Sequence, residues 1–377
     1  LDSMMIHKMY INGYNFSNII AIGDITDNVA DLRLVSNNEA TPALFQGVVK
    51  LGKNLSFDNA KAYLNIPQLD LVATKIDKTN PNSLLGVSAD INIKKWENGM
   101  MLGNVHITDI DYINDRGEHR IDAIKLDSYA KNGENIITLN SPMIVAEYVS
   151  NDTPDKLVRR IKNSLFNKNL PILLREDEIY TDSLEILSHG NYRFSMQTFD
   201  MAPICRIVMP DLYIADSTKV DFSLNERDSI NLSVESKFIR WGKNLFSDVS
   251  LNLNNNDYKP HIDLTAEEIS VFGIEVMNNK ISMTADNGEV DLKYKFINDN
   301  ALTNSLDLNT LVRFDKNPDN SLLTTIEIKD SELYVQNRNW KLSPSEIVLG
   351  PQIYKANNFN IFNENESLNI NGAISAN

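Results

Sequence analysis

The chain has 377 residues with 36 basic and 51 acidic side chains, a net charge of −15. That balance excludes a nucleic-acid-binding surface, which needs cations to displace counterions, and opposes adsorption by charge to an anionic membrane surface. The single cysteine, Cys205, excludes an internal disulfide and a thiolate metal cluster, and it reads as a small buried apolar residue.

In chain order, a short helix is expected over Pro42–Lys50, where Leu44, Val48 and Val49 follow Thr41. Val87, Ala89, Ile91 and Ile93 then alternate with polar residues, as do Val105 and Ile107. In a strand this places one set of side chains on an apolar face and the other in water. Turn clusters follow at Asp115-Arg116-Gly117 and Lys131-Asn132-Gly133. One longer helix is expected from Thr153 to Phe166, with Thr153 as N-cap, Pro154 in the first turn, and Leu157, Ile161 and Leu165 on one face. Alternation resumes at Tyr192, Phe194 and Met196 and again at Phe222 and Leu224. The most regular runs are Ile230, Leu232 and Val234; Val249, Leu251 and Leu253; Ile262 and Leu264; Ile281 and Met283; Val290, Leu292, Tyr294 and Phe296; and Ile326 and Ile328. Asn-rich turns separate them, and Asn287-Gly288 between two alternating runs is a hairpin signal. Turn clusters roughly ten residues apart point to about 25–30 antiparallel strands. The organisation expected is a first β part over 1–150, a helical insertion over 151–172 and a second β part over 173–377, in one continuous unit. Trp96, Trp241 and Trp340 each follow an apolar run, a loose repetition.

Chemistry is scarce. His7, His106, His119, His189 and His261 form no HExxH and no pair four residues apart, so zinc catalysis has no support. His106, His119 and His261 read as solvated. Asp109, Asp111 and Asp115 do not fit calcium-loop spacing, and Glu176-Asp177-Glu178 reads as a solvated charge run. No glycine-rich phosphate loop is present. No catalytic residue, metal or cofactor is expected, and the chain reads as a non-enzyme. A large apolar face remains, which is either a closed core or a binding surface. Acyl chains would suit such a surface, since each buried methylene gains roughly 0.8 kcal/mol. The alternative is an extracellular adhesin or glycan-binding β-array with closed cores. No apolar run is long enough for a membrane-spanning helix. The start on Leu1-Asp2-Ser3 and the end in Asn371-Gly372-Ala373-Ile374 lead us to expect a piece of a longer protein.

The stretch Ile326–Ser375 carries a resemblance. Asp330-Ser331-Glu332-Leu333-Tyr334-Val335, Asn339-Trp340-Lys341-Leu342-Ser343-Pro344-Ser345, Ile347, Asn358-Phe359-Asn360-Ile361 and Leu368-Asn369-Ile370-Asn371-Gly372 resemble the repeating unit of TamB-like translocation and assembly proteins. The block Asn135–Ala146 ahead of the Thr153–Phe166 helix is similar to a further segment of that family. The resemblance implies an all-β fold: a long curved, mostly antiparallel sheet forming an open hydrophobic groove, with one or two short helices, related to AsmA-like and bridge-like lipid-transfer proteins. It implies a periplasmic setting, an inner-membrane anchor outside this chain, and phospholipid movement to the outer membrane or support of outer-membrane protein assembly. The partners it implies are phospholipid acyl chains and an outer-membrane barrel assembly protein. The expected lipid-binding residues are the sixteen apolar positions from Ile230 to Ile328 given above.

Overall fold

The computed structural model describes residues 3–11, 13–52, 57–77, 80, 82–97, 100–167, 169–174, 190–255, 258–299, 303–317 and 320–375. Among them, 25 strands belong to one hydrogen-bonded sheet, antiparallel wherever register is defined. The fold is all-β, as expected, with two short α-helices among the described residues. It divides into two compact units, one of residues 1–154 and 195–213, the other of residues 155–194 and 214–377.

In the first unit, β1 (Met4–Ile11), β2 (Tyr14–Thr26), β3 (Val29–Ser36), β4 (Ala43–Leu51), β5 (Phe57–Asp70), β6 (Leu84–Glu97), β7 (Met100–Asn114), β8 (Gly117–Lys131), β9 (Glu134–Asn140) and β10 (Ile144–Ser150) pair in sequence order. The expected helix over Pro42–Lys50 is instead strand β4. Its Leu44, Val48 and Val49 pair with Val35, Asp31 and Ala30 on β3 and with Asn65, Lys61 and Ala60 on β5. Cross-strand packing and two β-branched residues outweigh a weak helical spacing. Apolar residues align across the strands: Leu34, Phe45, Leu64, Ala89, Ile107 and Ile124 form one row. The row Ala62, Ile91, Val105, Leu126, Leu139 and Ala146 runs beside it.

The helix expected over Thr153–Phe166 is α1 (Pro154–Lys162), continued by a π-turn over Asn163–Asn167 and a 3-10 turn over Pro171–Leu173. A second helix, α2 (Ala202–Val208), lies between β11 (Tyr192–Thr198) and β12 (Leu212–Ile214). Sequence spacing missed it, because Ile204-Cys205-Arg206-Ile207-Val208 is too short and too apolar to separate helix from strand. Met201, Ile204 and Ile207 of this segment pack against the buried cluster Ile110, Ile121 and Met143, where the helix covers the apolar face of the first unit.

The second unit continues with β13 (Lys219–Leu224), β14 (Ile230–Trp241), β15 (Asn244–Asn254), β16 (His261–Val271), β17 (Ile274–Asp286), β18 (Glu289–Asp299), β19 (Thr303–Lys316) and β20 (Leu322–Ile328). Then come β21 (Ser331–Val335), β22 (Arg338–Leu342), β23 (Ser345–Gly350), β24 (Ile353–Phe362) and β25 (Ser367–Ser375). Strands β13 to β20 pair in sequence order. The expected Asn287-Gly288 turn is formed, with both φ angles positive (49° and 84°) and Asp286 paired with Glu289 across it, the geometry that suits the twist of a hairpin.

Candidate functional site

Each of the sixteen expected residues lies on β14 to β20, and cross-strand register brings them into rows. Leu232, Leu253, Ile262, Met283 and Leu292 are consecutive partners, followed by Thr310 and Ile328. Val234, Leu251, Leu264, Ile281 and Tyr294 form the parallel row, ending on Leu308. Val290 meets Ala285 and Val312, and Val312 meets Ile326. Val249 pairs with Ser236, Ile230 with Leu224, and Phe296 with Leu306. Ile230 and Ile328 are buried, and the other fourteen are half-buried. The spacing reading missed Leu306, Leu308 and Val312, although the alternation of Leu306, Leu308, Thr310 and Val312 was there to be read. It also left out the matching rows of the first unit.

The opposite side of the same strands is polar. Lys295 pairs with Asp307 at 2.6 Å, Arg313 with Glu289 at 2.6 Å and with Glu327 at 3.0 Å, and Lys329 with Asp291 at 3.3 Å. Exposed pairs of this kind stabilise little, but they keep every charge off the apolar rows. Those rows carry no charged side chain, so they offer dispersion contacts rather than a charged recognition site.

The rows are bounded by buried polar groups. On one side the polar Ser236 and Asn279 are 5% and 2% exposed, and Ala266, the strand partner of Asn279, is 3% exposed. The Asn279 amide donates to the carbonyl oxygen of Val276 at 2.8 Å, and its oxygen accepts from the Tyr294 hydroxyl at 2.9 Å. Burial pushes the Tyr294 phenol above its usual range. Next to this line, Asp248 and Asn278 adopt left-handed backbone (φ 43° and 52°) within strands, and the apolar pattern changes phase there. Beyond it the row is Ile239, Phe246, Ile269 and Val276. The alternation readable in β14 to β17 stops at this line because a left-handed residue shifts which neighbours face the same way.

On the other side, α1 and the turns after it are fastened to hairpin ends. The Arg160 guanidinium is 1% exposed. It donates to Asp228 Oδ1 at 2.7 and 3.0 Å, to the carbonyl of Asn225 at 2.7 Å and to that of Gly190, and it lies over the Tyr192 ring. The Ser164 hydroxyl donates to the carbonyl of Asp228, and the Asn255 amide donates to Ser164 Oγ at 2.8 Å. The Asn169 amide reaches the carbonyl of Tyr258 at 2.6 Å, while its own carbonyl accepts from the Gly288 N–H at 2.6 Å. Leu224 and Ile230, which flank the Asn225–Ser229 turn, are 0% and 1% exposed.

The remaining candidates have structural surroundings. His106 is exposed. His261 is half-buried, with its ring nitrogens 2.8 Å from Thr284 Oγ1 and from Asp263 Oδ2. His119, expected to be solvated, is buried and stacked on Tyr112. Its partner across the strands is Tyr112, and a strand-start position does not reveal that long-range contact. Cys205 is buried in α2, and burial raises its thiol pKa, which disfavours the thiolate. Asp109 and Asp115 are exposed, and Asp111 binds Arg120 at 2.6 Å. Trp340 is half-buried opposite Leu333. His189 and the 176–178 run lie outside the described residues. Among the described residues no group of three His, Cys, Asp or Glu side chains is placed to hold a metal, and no helix is long and apolar enough to cross a membrane.

No family model, curated protein or solved structure matches the chain. The fold and the candidate site therefore define a class in physical terms: an antiparallel β-sheet protein with uncharged apolar rows on one face of its strands.

Proposed function

We propose that this chain is a non-enzymatic cell-envelope protein whose apolar rows carry phospholipid acyl chains between the inner and outer membranes. The observation that carries the reading is the uncharged double row of Leu232, Leu253, Ile262, Met283 and Leu292 beside Val234, Leu251, Leu264, Ile281 and Tyr294, half-buried throughout. Consecutive partners in such rows stand roughly 4.8 Å apart, which gives an acyl chain an unbroken apolar track across the strands. A tail of about 16 carbons moved from water to that track gains roughly 12 kcal/mol, while its head group stays in solvent. The motif resemblance to TamB-like proteins favours a periplasmic location and a barrel assembly partner, and support of outer-membrane protein assembly fits the same setting.

The test is a photo-crosslinking residue at Leu232 or Leu292, with Lys293 on the polar side as control, followed by lipid extraction and mass spectrometry of the purified protein. Acyl adducts are expected at the two leucines and not at Lys293. Adducts at none of them, with no co-purifying lipid, would overturn the proposal in favour of a closed core of the adhesin type.

A further inference from the structure

The β16–β17 hairpin tip departs from the usual turn chemistry. Four other two-residue turns among the described residues have both φ angles positive, and all but one of their eight positions are Gly, Asn or Asp: Asp27-Asn28, Asn132-Gly133, Asn287-Gly288 and Gln336-Asn337. These are small or polar residues that tolerate left-handed backbone. The β16–β17 turn has the same geometry but places Phe272 at φ 54°, ahead of Gly273. A bulky residue there is strained, and folding does not recover the cost, because Phe272 is 93% exposed. Ile274 beside it is 68% exposed, and Trp241 at the end of β14 is 61% exposed. The two tips are tied together, with the Phe272 N–H donating to Asn244 Oδ1 at 3.4 Å. Arg240 and Lys243 flank Trp241 and are both exposed. Tip residues 240–243 and 271–274 include no carboxylate, and Glu275 is the first acidic residue beyond them.

We propose that this rim, Trp241 with Phe272 and Ile274, inserts into the interfacial zone of a phospholipid bilayer. An indole ring favours the level of the head groups, and a protruding Phe–Ile pair favours the acyl boundary below it. Arg240 and Lys243 stand where head-group phosphates would meet them. The chain's net charge of −15 opposes adsorption by charge, so apolar insertion holds the contact and the two cations orient it. The row Ile239, Phe246, Ile269 and Val276 lies two residues inside the tips. If the proposed lipid-carrying function holds, this rim is therefore where an acyl chain passes from the bilayer onto the apolar rows. The docking itself does not depend on that reading.

The test is co-sedimentation of the full chain with phosphatidylcholine vesicles, with and without phosphatidylglycerol, together with tryptophan emission. Wild type is expected to sediment with both, no more strongly with phosphatidylglycerol because the net charge of −15 opposes it, and its emission to shift to the blue. The shift should vanish in Trp241→Phe. Phe272→Ser with Ile274→Ser is expected to lower vesicle partitioning by about ten-fold or more with an unchanged circular dichroism spectrum. If that pair impairs folding, Phe272→Ser alone serves, since so exposed a side chain supports no packing. Wild type that stays in the supernatant, or variants that sediment as wild type does, would overturn the docking. Vesicle insertion without co-purifying lipid would leave the docking intact and remove the lipid-carrying function; bound lipid without insertion would do the reverse.

Discussion

At the scale of single residues, burial separates side chains that look alike in sequence. His106 and His119 both sit on strands, yet His106 is exposed while His119 is 7% exposed and stacked on Tyr112. Nε2 of His119 has no hydrogen-bond partner among the described residues. Burial, with the Arg206 charge adding to it, lowers the pKa of His119 below the ordinary histidine value. The neutral form is therefore the native one. Its contribution to stability is complete above about 6.5, the unfolded value, and is lost as pH falls from there through the lower folded value. Denaturant unfolding of wild type and His119→Gln between pH 7.5 and 5 checks this. The wild-type midpoint is expected to fall more steeply with acid than that of the variant; equal slopes would exclude the histidine as the cause.

At the scale of elements, polar contacts tie α1 and its following turns to hairpin ends. The central contact is asymmetric: Arg160 is 1% exposed, whereas the Asp228 side chain is 34% exposed. Removing the carboxylate leaves a buried cation with only carbonyl partners and the Tyr192 ring, whereas removing the arginine leaves a carboxylate that water reaches. Asp228→Ala is expected to destabilise the protein by about 3 kcal/mol, and the double change with Arg160→Met by less than Asp228→Ala alone. Chemical denaturation of the three proteins decides it, and a double variant weaker than Asp228→Ala would contradict the asymmetry. The same logic explains the two helices as seen from the sequence. The residues of α1 announce themselves with a Thr-Pro start and a four-residue spacing. Those of α2 do not, because its apolar side chains serve the cluster around Ile110 and Ile121 in three dimensions.

At the scale of the whole molecule, strands pair mainly with the strands next to them in sequence, so strain placed in one strand should stay local. Asn278 occupies left-handed backbone in the middle of β17, where a β-branched residue is costly. Asn278→Val is expected to cost about 1–2 kcal/mol and to speed amide exchange in β16 to β18 while leaving β3 to β8 unchanged. Hydrogen exchange with mass spectrometry reads this directly, and a uniform acceleration through both units would show global coupling instead. By itself the sequence determined most of the strands, the turns between them and the apolar face of the regular runs, because alternation and turn chemistry are local properties of the chain. It determined, too, that the apolar rows from Ile230 to Ile328 would carry no charge. Only the tertiary structure decided which residues stand side by side, where left-handed Asp248 and Asn278 shift the phase of the pattern, which rows a helix covers and which hairpin tips remain bare. Those features depend on partners distant in sequence, as with Arg160 and Asp228 or His119 and Arg206, and no spacing rule along one strand contains them.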